Sequence, residues 1–451
     1  MKKIYFILLT MFFVNISFAR NDLTIDIDGT ANKKNSIVFE NIKIINTDDD
    51  FNITEKIIEN IEKNLNTTDL FKVIKSKKSI YNDYDKVINM TESDLTNLVI
   101  TKYSKNNIDA VFGGYVYLND NNDLELKVKL WDILDQREIL NKSFIVDNSN
   151  WKNISDIISD SIYELLTGEI SGHFDSKILF VSETGGAKNR KKRIAMIDFD
   201  GSNLTYLTNG DNLVLTPAFS KHNKDEVVYL EYRNKNPHIY RKNLATNKLT
   251  LIGNNMEMTY APNFNPNGSN EILFSAAKNG ISNIYKLNFD DGLIKQLTFD
   301  SDISTVPSWS PDGEKIVFVS DKTGIRKLYI MNRDGTDTRM ISKGRGVYDK
   351  PSWSPDGKLI SFVKMEKGEF YIGLMTPNGD NERNIMNAYL VEGIKWSPNG
   401  RYLIYSKQKG PFGKDSIPGI YIIDILTGIE HKINTPENQG ATDPDWVRNK
   451  Y

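Results

Sequence analysis

The chain has 451 residues, 39% of them hydrophobic and 26% charged, with 57 basic side chains against 59 acidic ones. That length exceeds one ordinary core, so more than one domain is expected, and the composition excludes a disordered or membrane-embedded chain. A formal net charge of −2 gives no global attraction for nucleic acid or anionic lipid. The absence of cysteine excludes disulfides, thiolate catalysis, thiolate metal sites and a lipid-modified N-terminal cysteine.

Residues 1–19 read as a secretory signal. Lys2 and Lys3 precede an apolar stretch from Ile4 to Val14, and Ser17-Phe18-Ala19 places small residues at positions −3 and −1 of a cleavage site. Cleavage after Ala19 would leave Arg20 as the mature start, in an extracytoplasmic space expected to be a bacterial periplasm. The rival reading is an uncleaved anchor, but the apolar core is short for a bilayer and no later segment approaches about 18 apolar residues. No direct membrane insertion of the mature chain is expected.

Residues 20–170 read as a small α/β domain. Ile37 to Ile45 predicts one strand, and Ile53, Ile57, Ile58, Ile61 and Leu65 fall on one face of a helix. Further strands are predicted at Phe71 to Ile74 and Ile108 to Gly114, with a helix around Leu95 to Tyr103 between them. Leu124, Leu126, Val128 and Leu130 alternate with charged residues, the pattern of a half-exposed antiparallel strand. A helix from about Trp151 is expected to bury Ile154, Ile157, Ile158, Leu165 and Leu166 and to end at Gly168. Gly113-Gly114 lacks the surroundings of a phosphate loop.

Residues 171–451 repeat. The segments Pro217-Ala218-Phe219, Pro262-Asn263-Phe264, Pro307-Ser308-Trp309, Pro351-Ser352-Trp353, Ile394-Lys395-Trp396 and Pro444-Asp445-Trp446 recur at intervals of 43 to 50 residues. Behind Trp309 and Trp353 stands Ser-Pro-Asp-Gly, whose Pro presets φ and whose Gly accepts a positive one. Then come runs such as Ile316 to Val319, apolar on both faces and so buried between two sheets. Arg333-Asp334-Gly335-Thr336 reads as a hairpin turn. The tryptophans have the bulk to wedge between adjacent blades.

The ends of the repeat decide the architecture. Pro444-Asp445-Trp446 has a first strand and nothing after it, whereas residues 177–208 look like strands two to four with no Pro-x-Trp of their own. Joining them makes one blade, and with five complete repeats the prediction is a six-bladed β-propeller closed by a C-terminal strand. The expected fold class is therefore multidomain, a small N-terminal α/β domain followed by that all-β propeller.

Catalytic and metal-binding signatures do not emerge. There is no G-x-S-x-G or H-E-x-x-H, and His173, His222, His238 and His431 are scattered, read as surface histidines. Asp312-Gly313 and Asp356-Gly357 read as turn chemistry rather than calcium ligands. The basic run from Lys188 to Arg193 reads as a solvated hairpin rather than a nucleic-acid site. No enzyme, cofactor or nucleic-acid partner is expected.

These features together resemble the TolB family of the bacterial Tol–Pal envelope system. The resemblance rests on the Trp-Ser-Pro-Asp-Gly repeats, Asn107-Ile108-Asp109-Ala110-Val111, the segment from Leu166 to Phe174, and Asp443-Pro444-Asp445-Trp446. It implies a scaffold, monomeric but in complex with partners, that supports envelope integrity and cell division. It implies contact with TolA through Arg20, Asn21, Asp22, Leu23, Thr24, Ile25, Asp26, Ile27, Asp28, Gly29 and Thr30. Leu23, Ile25 and Ile27 alternate with polar residues there, so this strand could add to a partner's sheet or pair within its own domain. For the lipoprotein Pal, the resemblance points to loops just before each Pro-x-Trp: Glu257, Met258, Thr259, Ser304, Thr305, Tyr348, Asp349 and Tyr389. Ordinary solvent loops are the alternative. The alternative function is an exported propeller that binds or hydrolyses a peptide or glycan in its channel.

Overall fold

The computed structural model describes residues 34–45, 52–169, 172–186, 189–220, 223, 225–234, 236–253, 256–299, 302–411 and 416–449. The expected signal, its cleavage point and the segment from Arg20 to Thr30 lie outside them.

The N-terminal domain is a six-stranded sheet between two helical layers. Its elements are β1 (Asn35–Phe39), β2 (Lys43–Ile45), α1 (Ile53–Thr67), β3 (Phe71–Lys75), α2 (Tyr84–Ile88), α3 (Glu92–Tyr103), β4 (Ala110–Leu118), β5 (Leu124–Asp132), β6 (Arg137–Ile145) and α4 (Trp151–Thr167). β1 lies parallel between β3 and β4, and β4, β5 and β6 form an antiparallel meander. The single strand expected from Ile37 to Ile45 is split. β1 and β2 both pair with β4, and the chain turns out of the ladder at residues 40–42. Glu40 is buried there and bonded by Lys102 and Tyr103.

α1 and α4 cover one face of the sheet through Ile57, Ile61, Leu65, Ile154, Ile158 and Ile162, and α3 covers the other through Leu95, Val99 and Tyr103. α4 ends at Gly168, left-handed at φ 73 as expected, but Leu165 is exposed. The α1–α4 seam also holds a polar stripe that the apolar period does not reveal. Asn60 donates to Ser155 and Asp156, and Asn64 to Asp156 and Ser159, so the α1–α4 seam is a closed hydrogen-bond network.

The propeller has six four-stranded blades. Blade 1 joins Gly440–Arg448, as its innermost strand, to Ser176–Thr184, Lys191–Asp198 and Thr205–Tyr206. Blades 2 to 6 begin with Val214–Phe219, Met258–Phe264, Ser304–Trp309, Val347–Trp353 and Leu390–Trp396. The C-terminal strand is antiparallel to its partner from Gly440↔Glu183 to Arg448↔Ser176, so the ring closes as the repeat's broken ends require.

Two-faced burial is visible in blade 4. Ile316 and Phe318 pack with Trp309 against Leu273 and Ile284 of blade 3, while Val317 and Val319 pack against Trp353 and Phe362 of blade 5. The tryptophans wedge between blades as expected. The Ser-Pro-Asp-Gly turn is held by Asp312, which accepts from Ser310 Oγ and Glu314 N.

The two domains share one core. Phe39, Ile57 and Ile162 of the first belong to the same cluster as Phe174, Phe180, Tyr402 and Trp446 of the second. Polar contacts ring that core: Arg448 bridges to Glu164 at 2.8 Å, Lys152 to Asp198 at 3.3 Å, and Arg401 to Glu169 at 3.3 Å. His173 is not on the surface, as expected from sequence, but sealed at this seam.

Candidate partner-binding site

Every innermost strand carries the same irregularity. In blade 4, Thr305 pairs with Val319 and Ser308 with Val317, so Val306 and Pro307 together oppose Phe318. Equivalent shifts occur in the other five blades. Such a bulge strands one residue outside the ladder, and proline has no N–H to leave unsatisfied there. The residue ahead of it turns left-handed, with φ from 45° to 64° at Thr216, Ala261, Val306, Lys350, Gly393 and Asp443. For β-branched Thr216 and Val306 that conformation is strained. Blade 6 has Ile394 in place of proline and keeps the bulge with Gly393, where a Cβ would come within 2.8 Å of Asp443 Cα.

The six bulges pinch the channel to a void of about 60 Å³. Small-molecule sites run to roughly 300–1,000 Å³. Beyond the pinch, the channel widens into a funnel of about 540 Å³ lined by Pro266, Pro311, Pro355, Pro398 and the tryptophan strands. Its carboxylate, Asp445, accepts from Phe219 N at 2.7 Å and thereby locks blade 1 to blade 2. Asn263 and Ser308 repeat the interlock, accepting from the backbone N–H of Trp309 and Trp353.

Strand direction separates the two faces of the ring. Arg401 and Arg448, where innermost strands end, and Asp198 and Asp200, at a turn between outer strands, meet the N-terminal domain. The starts of the innermost strands, with all eight positions expected to meet Pal, therefore open on the opposite face.

Within that face the eight divide. Glu257 and Tyr389 are exposed, Tyr389 by 52%, and Met258 and Asp349 are half-buried. Thr259, Ser304, Thr305 and Tyr348 are buried strand residues rather than the loop residues expected from sequence. Thr259 Oγ1 accepts from Ile239 N of the preceding blade at 2.8 Å, and Thr305 Oγ1 bonds Ser275 Oγ at 3.2 Å. Tyr348 donates to Glu382 at 2.6 Å between the ammonium groups of Lys327 and Lys364. Burial and Glu382 both push its hydroxyl pKa up, so it stays protonated.

The same face carries apolar side chains that the repeat pattern did not single out. Phe299 is 77% exposed, and Ile281, Ile303, Ile325, Met365 and Ile417 are exposed on the same face, spread over blades 3 to 6. Ile281 and Ile325 each follow a hairpin glycine directly, and an apolar residue in a turn is a signal that sequence reading could have used.

Known proteins bear the same organisation. Residues 163–450 match the family model described as the TolB beta propeller domain. The Tol-Pal system protein TolB of Orientia tsutsugamushi (strain Ikeda) is 43% identical over 407 residues, covering 90% of this chain and 87% of that protein. The protein of the same name from Pelagibacter ubique (strain HTCC1062) is 38% identical over 204 residues, covering 43% of this chain and 45% of its own length. The crystal structure of TolB from Acinetobacter baumannii superposes with a TM-score of 0.73 at 23% identity, over 92% of this chain and 97% of that one. That likeness carries the fold.

Proposed function

This chain belongs to the TolB family, and from that premise we propose that it is a non-catalytic periplasmic scaffold of the Tol–Pal system, docking Pal on the propeller mouth. The apolar arc of Phe299, Ile303, Ile325, Met365 and Tyr389, on the face turned away from the N-terminal domain, carries this reading. Exposed apolar clusters ringed by polar residues mark protein interfaces. Glu257 and Asp349 supply a polar rim, and the buried Thr259, Ser304, Thr305 and Tyr348 hold the blades that present it.

The segment from Arg20 to Thr30 is proposed to contact TolA by strand addition, and the scaffold to keep the outer membrane coupled during division. No helix among the described residues is long and apolar enough to cross a membrane. The pinched channel gives the ligand-processing alternative little support.

Two measurements test the assignment. Replacing Met258, Phe299 and Tyr389 together by alanine is expected to weaken Pal binding at least 100-fold in calorimetric titration, and an unchanged affinity overturns the mouth as the site. Deleting Arg20 to Asp28 is expected to abolish TolA binding with the thermal melt nearly intact. A large fall in melting temperature would mean instead that this strand pairs within its own domain.

A further inference from the structure

Arg193, the last residue of the basic run that the scaffold reading leaves aside, lines a groove between blades 1 and 2. Along the strand Lys191–Asp198 successive side chains alternate in direction. Lys192 pairs with Glu183 at 2.5 Å, and Arg190 with the same carboxylate at 3.5 Å. Arg193 points the other way, and its guanidinium lies 3.7 Å over the ring of Tyr206. Among the described residues its buried Nε has no hydrogen-bond partner, and no carboxylate pairs with it. Gly210, at φ 84, makes room for its stem, since a Cβ there would stand 3.0 Å from Arg193 Cγ.

Blade 2 supplies the other wall. Arg233 stacks on Tyr240 and holds Glu231 at 3.1 Å, and Asn212 donates to the same carboxylate at 2.6 Å. Lys242 donates to Leu207 O at 2.8 Å and has no carboxylate partner among the described residues. The groove, about 560 Å³, thus sets three cations against one carboxylate that is already satisfied. A second basic groove, between blades 3 and 4, carries more carboxylate: Lys286 and Arg333 there are matched by Glu271, and Arg333 also by Glu314, while among the described residues the ammonium groups of Lys295 and Lys315 donate only to Asp334 O and Asn332 Oδ1.

We propose that the groove formed by Arg193, Tyr206, Tyr229, Arg233 and Lys242 binds an acidic peptide segment of a partner protein, independently of the propeller mouth. An arginine stacked on a tyrosine keeps its in-plane N–H groups for a planar anion, and a carboxylate matches that fork. A free phosphate in so open a groove would gain charge contacts alone. A peptide also covers the tyrosine rings and Leu207. A membrane surface is flat, whereas Arg193 is half-buried below the rim.

The test uses the full chain and a blocked, fluorescently labelled hexaglutamate peptide, read by anisotropy at physiological salt. Arg193→Gln with Lys242→Gln is expected to weaken binding at least tenfold. Lys295→Gln with Lys315→Gln, in the second groove, should change it less than twofold. Glu231→Gln, which removes the groove's own carboxylate, should strengthen it several-fold. Equal losses in the two double variants would overturn the proposal as diffuse attraction. Full displacement by inorganic phosphate at the peptide's carboxylate concentration, or loss of phosphatidylglycerol-vesicle binding alone, would overturn the peptide as occupant. If the first double variant melts early, Lys242→Gln by itself carries the test, with a threefold loss expected and no change overturning it.

Discussion

His173 lies in a cage of Tyr163, Phe174, Phe199, Tyr402 and Trp446, with ring centroids 4.3 to 6.1 Å away. Burial, with Arg401 and Arg448 nearby, lowers its pKa to about 3. A folded pKa below the unfolded one means that the unfolded chain takes up this proton first as pH falls. Stability from this group is therefore full above about pH 6.5 and is lost toward pH 3, by roughly 1.4 kcal/mol per unit. His173→Phe, which keeps the ring contacts, is expected to gain melting temperature relative to the parent as pH drops from 6.5 to 4. Asp160 has the opposite sign. Burial lifts its carboxyl to about 7, against the N–H groups of Phe174 and Asp175 and the Arg448 guanidinium, which favour the charged form. Its contribution is full below about pH 4 and declines as pH rises to 7. Asp160→Asn should thus gain on the parent as pH rises through that window. Melting curves from pH 4 to 8 check both, and parallel curves for parent and variants would refute the shifts. His173 read from sequence as a surface residue because its cage comes from four elements far apart in the chain.

Among the elements, the bulged innermost strand decides how the ring is built. Six left-handed residues meet at the pinch, and the positions that tolerate this least are those without glycine. Gly393→Ala adds a Cβ 2.8 Å from Asp443 Cα and 2.9 Å from Pro444 Cδ, at a φ that alanine resists. Its expected cost is about 2–4 kcal/mol in urea titration, and a neutral result would show that the inner strands can slide apart. The closing strand Gly440–Arg448 is the second such element. Trp446 is buried, stacks on Phe199 with centroids 5.4 Å apart, and donates to Ser176 Oγ at 2.6 Å. Trp446→Ala should cost about 3–5 kcal/mol, more than an equivalent cut in an outer strand such as Met340, which is exposed. Strand order, turns and closure were readable in the repeat, because each depends on local φ preference and on period. The bulge was not, since it appears only once two strands are paired and counted against each other.

At the scale of the molecule, the N-terminal domain and the propeller do not meet as separate bodies. One apolar cluster runs from Ile57 and Ile162 through Phe174 to Tyr402 and Trp446, and Arg401, only 3% exposed, ties Asp424 to Glu169 across it. Calorimetry of the full chain is expected to show a single cooperative transition, and two resolved transitions would mean that the shared core is weaker than its burial implies. The closing strand of the ring is therefore also the floor on which the first domain rests.

By itself the sequence determined the six blades, the joined ends, the tryptophan wedges and the helix stop at Gly168, all consequences of periodicity and of residues with narrow backbone preferences. Only the tertiary structure decided which of the eight mouth positions reach solvent. Thr259, Ser304, Thr305 and Tyr348 look like loop residues in the repeat, yet the neighbouring blade covers them. It also decided that Leu165 faces out while Asn60, Asn64 and Asp156 face in, because hydrogen-bond partners from another helix can bury what a hydrophobic period assigns to water. The basic run was legible as charge. That Glu183 neutralises one side of it and leaves Arg193 in a groove follows from strand alternation and from the blade next door.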